Sequence, residues 1–135
     1  MIFLDTTFLV DVLRKNDDAL SWLDRIDELA LFTSEINVFE LYTGLYRIPK
    51  KSEVKFQKHK LELEQVLSRV EVLPFERNTA MEAGRILAGL LQKGTPIGTR
   101  DVMIAGSAIA NGIERLLTRN IKHFKAISNL AVESY

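Results

Sequence analysis

The sequence predicts an α/β fold, a parallel sheet of four to five short strands covered on both faces by helices. Three observations predict it. Short apolar runs alternate with helix-patterned segments along the whole chain. The runs are continuously apolar rather than alternating, which marks strands buried on both faces. The chain has 135 residues, 47% of them hydrophobic, enough for one domain (residues 1–135) with a full core. No repeat, linker or low-complexity tract divides it.

The first strand is Ile2 to Asp5, and its last residue is a carboxylate. A helix from Thr7 to about Lys15 carries Phe8, Leu9, Val12 and Leu13 on one side. Asp17 or Asp18 caps the next, which runs to about Arg25. Leu29 to Ser34 reads as the second strand, and Ile36 to about Tyr46 as a helix with Pro49 just beyond it. A charged helix from about Ser52 to Arg69 carries Phe56, Leu63, Val66 and Leu67. Val70 to Phe75 reads as the third strand. Asn78 or Thr79 caps a helix with Ala80, Ala83, Leu87, Leu90 and Leu91 at helical spacing, stopped by Gly94 and Pro96. Thr99 or Asp101 caps a helix to about Asn111 that is apolar on nearly every face, as expected of a buried element. Arg115 to Thr118 is the fourth strand. A short helix follows at Ile121 to Phe124, and Leu130 to Val132 is an edge strand.

Right-handed crossovers place the strand C-termini along one edge, where open α/β sheets bind ligands. Asp5 sits at the tip of the first strand. Glu40 lies on the helix after the second, with apolar and aromatic residues on the other faces of that helix. Asp101 opens the buried helix, and Asn120 follows the fourth strand. Each has a plainer reading: Asp5 and Asp101 as helix caps, Glu40 as the partner of an Arg, Asn120 as a turn residue. Together they put three carboxylates on one edge, and like charges so close need compensation. A divalent cation supplies it. An all-oxygen donor set selects a hard ion, Mg2+ or Mn2+, and such a site suits metal-assisted phosphodiester cleavage.

Composition narrows the classes. Charged residues make up 27% and sum to zero, so nucleic acid would have to be held by local patches rather than bulk charge. Cys is absent, which excludes disulfides and thiolate metal sites and fits a reducing compartment. No apolar run approaches the length of a membrane span. The expectation is a soluble, cytoplasmic protein with no membrane partner.

The motifs Ile2-Phe3-Leu4-Asp5-Thr6-Thr7, Thr33-Ser34 through Glu40-Leu41 and Gly44, Gly94 through Asp101-Val102-Met103-Ile104-Ala105, and Leu117-Thr118-Arg119-Asn120 with Phe124 resemble those of PIN domains, most of all the VapC-type toxins of prokaryotic toxin–antitoxin pairs. The resemblance spans essentially the whole chain. It implies a three-layer α/β/α fold, Mg2+- or Mn2+-dependent ribonuclease activity leaving a 5′-phosphate and a 3′-hydroxyl, a homodimer, and a cognate antitoxin that blocks the site. By position it makes Asp5, Glu40 and Asp101 the acidic metal ligands, and Thr6 and Thr118 their supporting hydroxyls. Asn120 falls where many members have a fourth acid, so a one-ion site, or one completed by substrate, is expected. The catalytic set is then Asp5, Glu40, Asp101 and Asn120.

Arg100 and Arg119 flank the acids, either to hold RNA phosphates or to pair with the carboxylates. His59 and His123 receive no catalytic role. The Lys50 to Lys60 run is interspersed with acids and reads as a solvated helix face. The competing reading is a catalytically inactive PIN-like binding module, and Asn120 is its support. A phosphoacceptor domain or a haloacid-type phosphatase would need acids where Thr6 and Thr7 stand.

Overall fold

A computed structural model describes all residues, 1–135. Five strands, β1 (Ile2–Leu4), β2 (Leu31–Ser34), β3 (Glu71–Leu73), β4 (Arg115–Leu117) and β5 (Ala131–Glu133), form one sheet in the order β3-β2-β1-β4-β5. Every pairing is parallel. The chain winds outward from β1 through β2 to β3, then returns to the other side of β1 for β4 and β5. The switch point therefore falls at the C-terminal tip of β1, beside β4.

The helices are α1 (Thr6–Leu13), α2 (Asp17–Ile26), α3 (Glu35–Tyr46), α4 (Glu53–Leu67), α5 (Arg77–Gln92), α6 (Thr99–Ala110) and α7 (Ile121–Phe124). The pleat sends alternate strand residues to opposite faces. Phe3 and Leu116 join a core with Ala83, Ile86, Leu90, Ile104 and Ala105 of α5 and α6. Ile2, Leu4 and Leu117 join a second core with Phe8, Leu9, Leu41 and Leu63 of α1, α3 and α4. The result is the three-layer α/β/α arrangement.

Several boundaries differ from the sequence reading. Asn16, not Asp17 or Asp18, caps α2, accepting from the Ala19 amide at 3.0 Å. Helix α5 starts at Arg77 behind an N-cap Glu76 that makes no capping bond. Gly98 stands at the N-cap of α6, which starts at Thr99. The 3-10 turn Lys50–Ser52 was not anticipated. Strand β3 stops at Leu73 because Pro74 has no N–H for the ladder. Gly94 and Gly112 close α5 and α6 as expected. Both have φ of +70°, with the paired backbone bonds of a left-handed helix terminus.

Candidate metal-dependent active site

Asp5 leaves β1 and takes the N-cap position of α1, but its carboxylate makes no capping bond. It turns inward and is 4% exposed. Its Oδ2 accepts from the Thr118 hydroxyl at 2.7 Å and the Thr7 hydroxyl at 3.2 Å. Its Oδ1 accepts from the Asn37 side-chain amide at 3.3 Å. Burial pushes the carboxyl above its ordinary range, against the pull of the Thr118 hydroxyl, and the negative charge of Asp101 adds to the rise.

Glu40 reaches the same place from α3. The Thr6 hydroxyl donates to its Oε1 at 2.7 Å, and the Arg100 guanidinium lies 3.7 Å from its Oε2. Burial raises this carboxyl too, opposed first by the Thr6 hydroxyl. Asp101 enters in the first turn of α6. Its carboxylate is met by the His123 imidazole, Nδ1 to Oδ2 at 3.0 Å. Asp5, Glu40 and Asp101, with Thr6, Arg100, Asn120 and His123, line one cleft of about 400 Å3 that has no hydrophobic wall.

The Thr118 hydroxyl accepts from the Asn120 amide at 3.0 Å, and the Thr7 hydroxyl from the Arg119 amide at 3.0 Å. The loop after β4 is thereby pinned to the tip of β1. The Arg119 side chain points elsewhere. It pairs with the buried Asp11 of α1, which also accepts from the Tyr135 hydroxyl at 2.6 Å. These three residues border a separate hollow of about 500 Å3 that contains none of the cleft's acids. Of the two arginines expected near the acids, the structure thus brings Arg100 to the cleft and directs Arg119 away from it.

Asn37, Thr7 and His123 are parts of the site to which the sequence reading gave no supporting role. Asn37 is wholly buried and forms a capping box with Ser34 while its amide serves both Asp5 and the Thr6 hydroxyl, the latter at 3.0 Å. The spacing Ser34-x-x-Asn37 at a strand-to-helix junction was its visible signal.

The donor set fits a hard divalent cation. It is all oxygen, and burial, with repulsion from Asp101 at Asp5 and chiefly from Asp5 at Glu40, lifts the proton affinity of the two inner acids. As placed, no three His, Asp or Glu side chains stand close enough together to hold a metal ion. What points to a hard ion is the chemistry of the donors alone, carboxylate oxygens of the kind Mg2+ accepts while keeping several waters.

The sequence model of the PIN domain matches residues 2–130. The chain belongs to the PIN domain family. Among relatives of this PIN domain, "Ribonuclease VapC2" of Rickettsia felis is 34% identical over 136 residues, covering 98% of this chain and 96% of its own. The "tRNA(fMet)-specific endonuclease VapC" of Salmonella typhimurium is 27% identical, with the same coverage. The crystal structure of VapBC2 from Rickettsia felis, bound to a DNA fragment from their promoter, superimposes with a TM-score of 0.86 at 32% identity over 100% of this chain and 99% of that one. FitAcB from Neisseria gonorrhoeae gives 0.84 at 30% identity over 98% and 96%. No helix of this PIN domain is long and apolar enough to cross a membrane.

Proposed function

We propose that this PIN domain is a Mg2+- or Mn2+-dependent endoribonuclease, the cytoplasmic toxin of a toxin–antitoxin pair. The observation that carries the reading is the cleft itself. Asp5, Glu40 and Asp101 arrive from β1, α3 and α6 at one strand-exit edge, and each meets a polar partner from another part of the chain. Relatives named as ribonucleases share the family and nearly full-length coverage.

Asp5, Glu40 and Asp101 would hold the ion. When bound, it supplies charge neutralisation for a phosphodiester and an activated water. Asp5 is locked by three side-chain donors and offers a fixed ligand. Glu40, raised by burial, is strengthened as an acceptor for a proton leaving the attacking water. The Arg100 side chain, 3.7 Å from Glu40 and 60% exposed at the cleft, would hold an RNA phosphate. Asn120 offers the cleft an amide rather than a fourth charge, which favours a single ion. Thr6 and Thr118 keep the acids oriented.

The partners follow the same reading: RNA as substrate, an antitoxin as in the VapBC complexes, and a second copy of the chain. Support for the homodimer is the exposure of Phe39 (58%) and Tyr46 (68%) on α3, although the Tyr46 ring also stacks on Phe56 of α4.

RNA cleavage assays with Mg2+, with EDTA, and with Asp5→Asn and Asp101→Asn test the activity. Cleavage is expected only in the unsubstituted protein with metal, with losses of about a hundredfold or more in each variant. Undiminished cleavage in all conditions overturns it. The neutral Asn120 favours one competing reading, a binding module without catalysis, and absence of Mn2+ binding would support that instead.

A further inference from the structure

The three carboxylates of the cleft are not held alike. Asp5 has three side-chain donors, and Glu40 has the Thr6 hydroxyl with Arg100 beyond it. Asp101 has one polar partner, His123. The two atoms are within hydrogen-bond distance, and because a carboxylate only accepts, a hydrogen bond between them is one that Nδ1 donates.

His123 owes its place to α7. That helix opens at Asn120, and the His123 amide donates to the Asn120 carbonyl at 3.0 Å. The neighbouring Phe124 is wholly buried and anchors the turn in the core. The imidazole is thus presented to the cleft by a fixed backbone, although its side chain is 52% exposed. A half-exposed histidine with no structural duty of its own has little reason to be held against one oxygen of one acid.

We infer that His123 is a positioning residue, which orients the Asp101 carboxylate through Nδ1 for the divalent cation. The inference rests on the reading of Asp5, Glu40 and Asp101 as cation ligands. Hydrogen-bond partners of ligating groups set ligand direction, and their loss weakens metal binding by roughly 10–100-fold. Without His123, Asp101 would be the one acid of the three with no side-chain restraint.

The two imidazole nitrogens can be separated by substitution. The amide nitrogen of Asn reaches about where Nδ1 stands, and that of Gln about where Nε2 stands. Mn2+ titration calorimetry on the whole chain, without RNA, then reads the role directly, and thermal melts check that each variant is folded. His123→Ala and His123→Gln should weaken Mn2+ binding about tenfold or more, whereas His123→Asn should stay within about threefold of the unsubstituted protein. RNA cleavage should follow the same order. Unsubstituted-level Mn2+ affinity in His123→Ala, or His123→Asn as weak as His123→Ala, overturns the inference. Asp101→Asn separates the two layers of the argument. If it binds Mn2+ as the unsubstituted protein does, the ligand reading fails and the inference with it. If it weakens binding while His123→Ala does not, only the role of His123 fails.

Discussion

Asp5 occupies a capping position and declines the cap. Its carboxylate is spent on Thr118, Thr7 and Asn37 instead, inside a pocket that resists its charge. The consequence is a stability cost with a definite sign. The folded carboxyl holds its proton more tightly than the unfolded one, so in the interval above the ordinary carboxylate range the native state binds more protons. The metal-free protein therefore loses stability as pH rises from that range through the raised values of Asp5 and Glu40. Asp5→Asn removes the buried charge while keeping an oxygen for the surrounding donors. In EDTA at neutral pH it should melt above the unsubstituted protein, by roughly 4 °C for each kcal/mol relieved in a domain of this size. Saturating Mg2+ should reverse the order, because only the carboxylate gains from the ion. Melting curves at several pH values, with and without Mg2+, decide this. The acids were legible in the sequence because each follows or opens an apolar element. The cap spacing marks Asn37 as a helix-start residue, but its bond to Asp5 and the approach of His123 to Asp101 were not legible, because they depend on which side chain from another element faces them.

At the scale of elements, α5 and α6 approach so closely that glycine becomes a requirement. A Cβ at Gly106 would come within 2.9 Å of the Ala83 Cβ and 3.0 Å of its backbone. Backbone atoms cannot step aside, so the helices must part. Gly106→Ala should destabilise the fold by about 1–3 kcal/mol in urea denaturation, despite the better helix propensity of alanine. Gly84, on the exposed side of α5, has nothing within 4 Å of such a Cβ. There the same change should stabilise by about 0.5–1 kcal/mol. A result in which both glycines respond alike would remove the packing explanation. Helix α6 carries Asp101 in its first turn, so this tight seam also sets where that acid stands. The existence of every helix and strand was legible from periodicity and apolar runs. The ends were less so. Asn16 outcompetes two aspartates as a cap because backbone geometry at position 16 is extended and helical conformation begins at Asp17.

For the whole molecule, sequence patterning predicts the layers but not the lateral strand order. Apolar runs say that strands are covered on both faces. They say nothing about which strand lies beside which, and the order β3-β2-β1-β4-β5 emerges only from the chain's return past β1. The same limit applies to assembly. Phe39 and Tyr46 are both exposed on α3, Tyr46 with one side of its ring against Phe56. If that face joins two copies, light scattering should give twice the 15.4 kDa chain mass, and Phe39→Asp should return it to the single-chain value. A monomer at all concentrations would refute the homodimer.

The bond from Thr118 to Asp5 spans 113 positions of sequence. Asp5 is thus held only once the residues that follow β4 are in place. Strand β1 is central, yet its β4 neighbour is absent for most of synthesis, and so is the loop that closes the polar network at its tip. A nascent or truncated chain ending before β4 presents three acids without the frame that fixes them. The frame around Asp5 therefore exists only when the loop after β4 is folded against β1, and a truncation before β4 is expected to leave that acid without its Thr118 restraint.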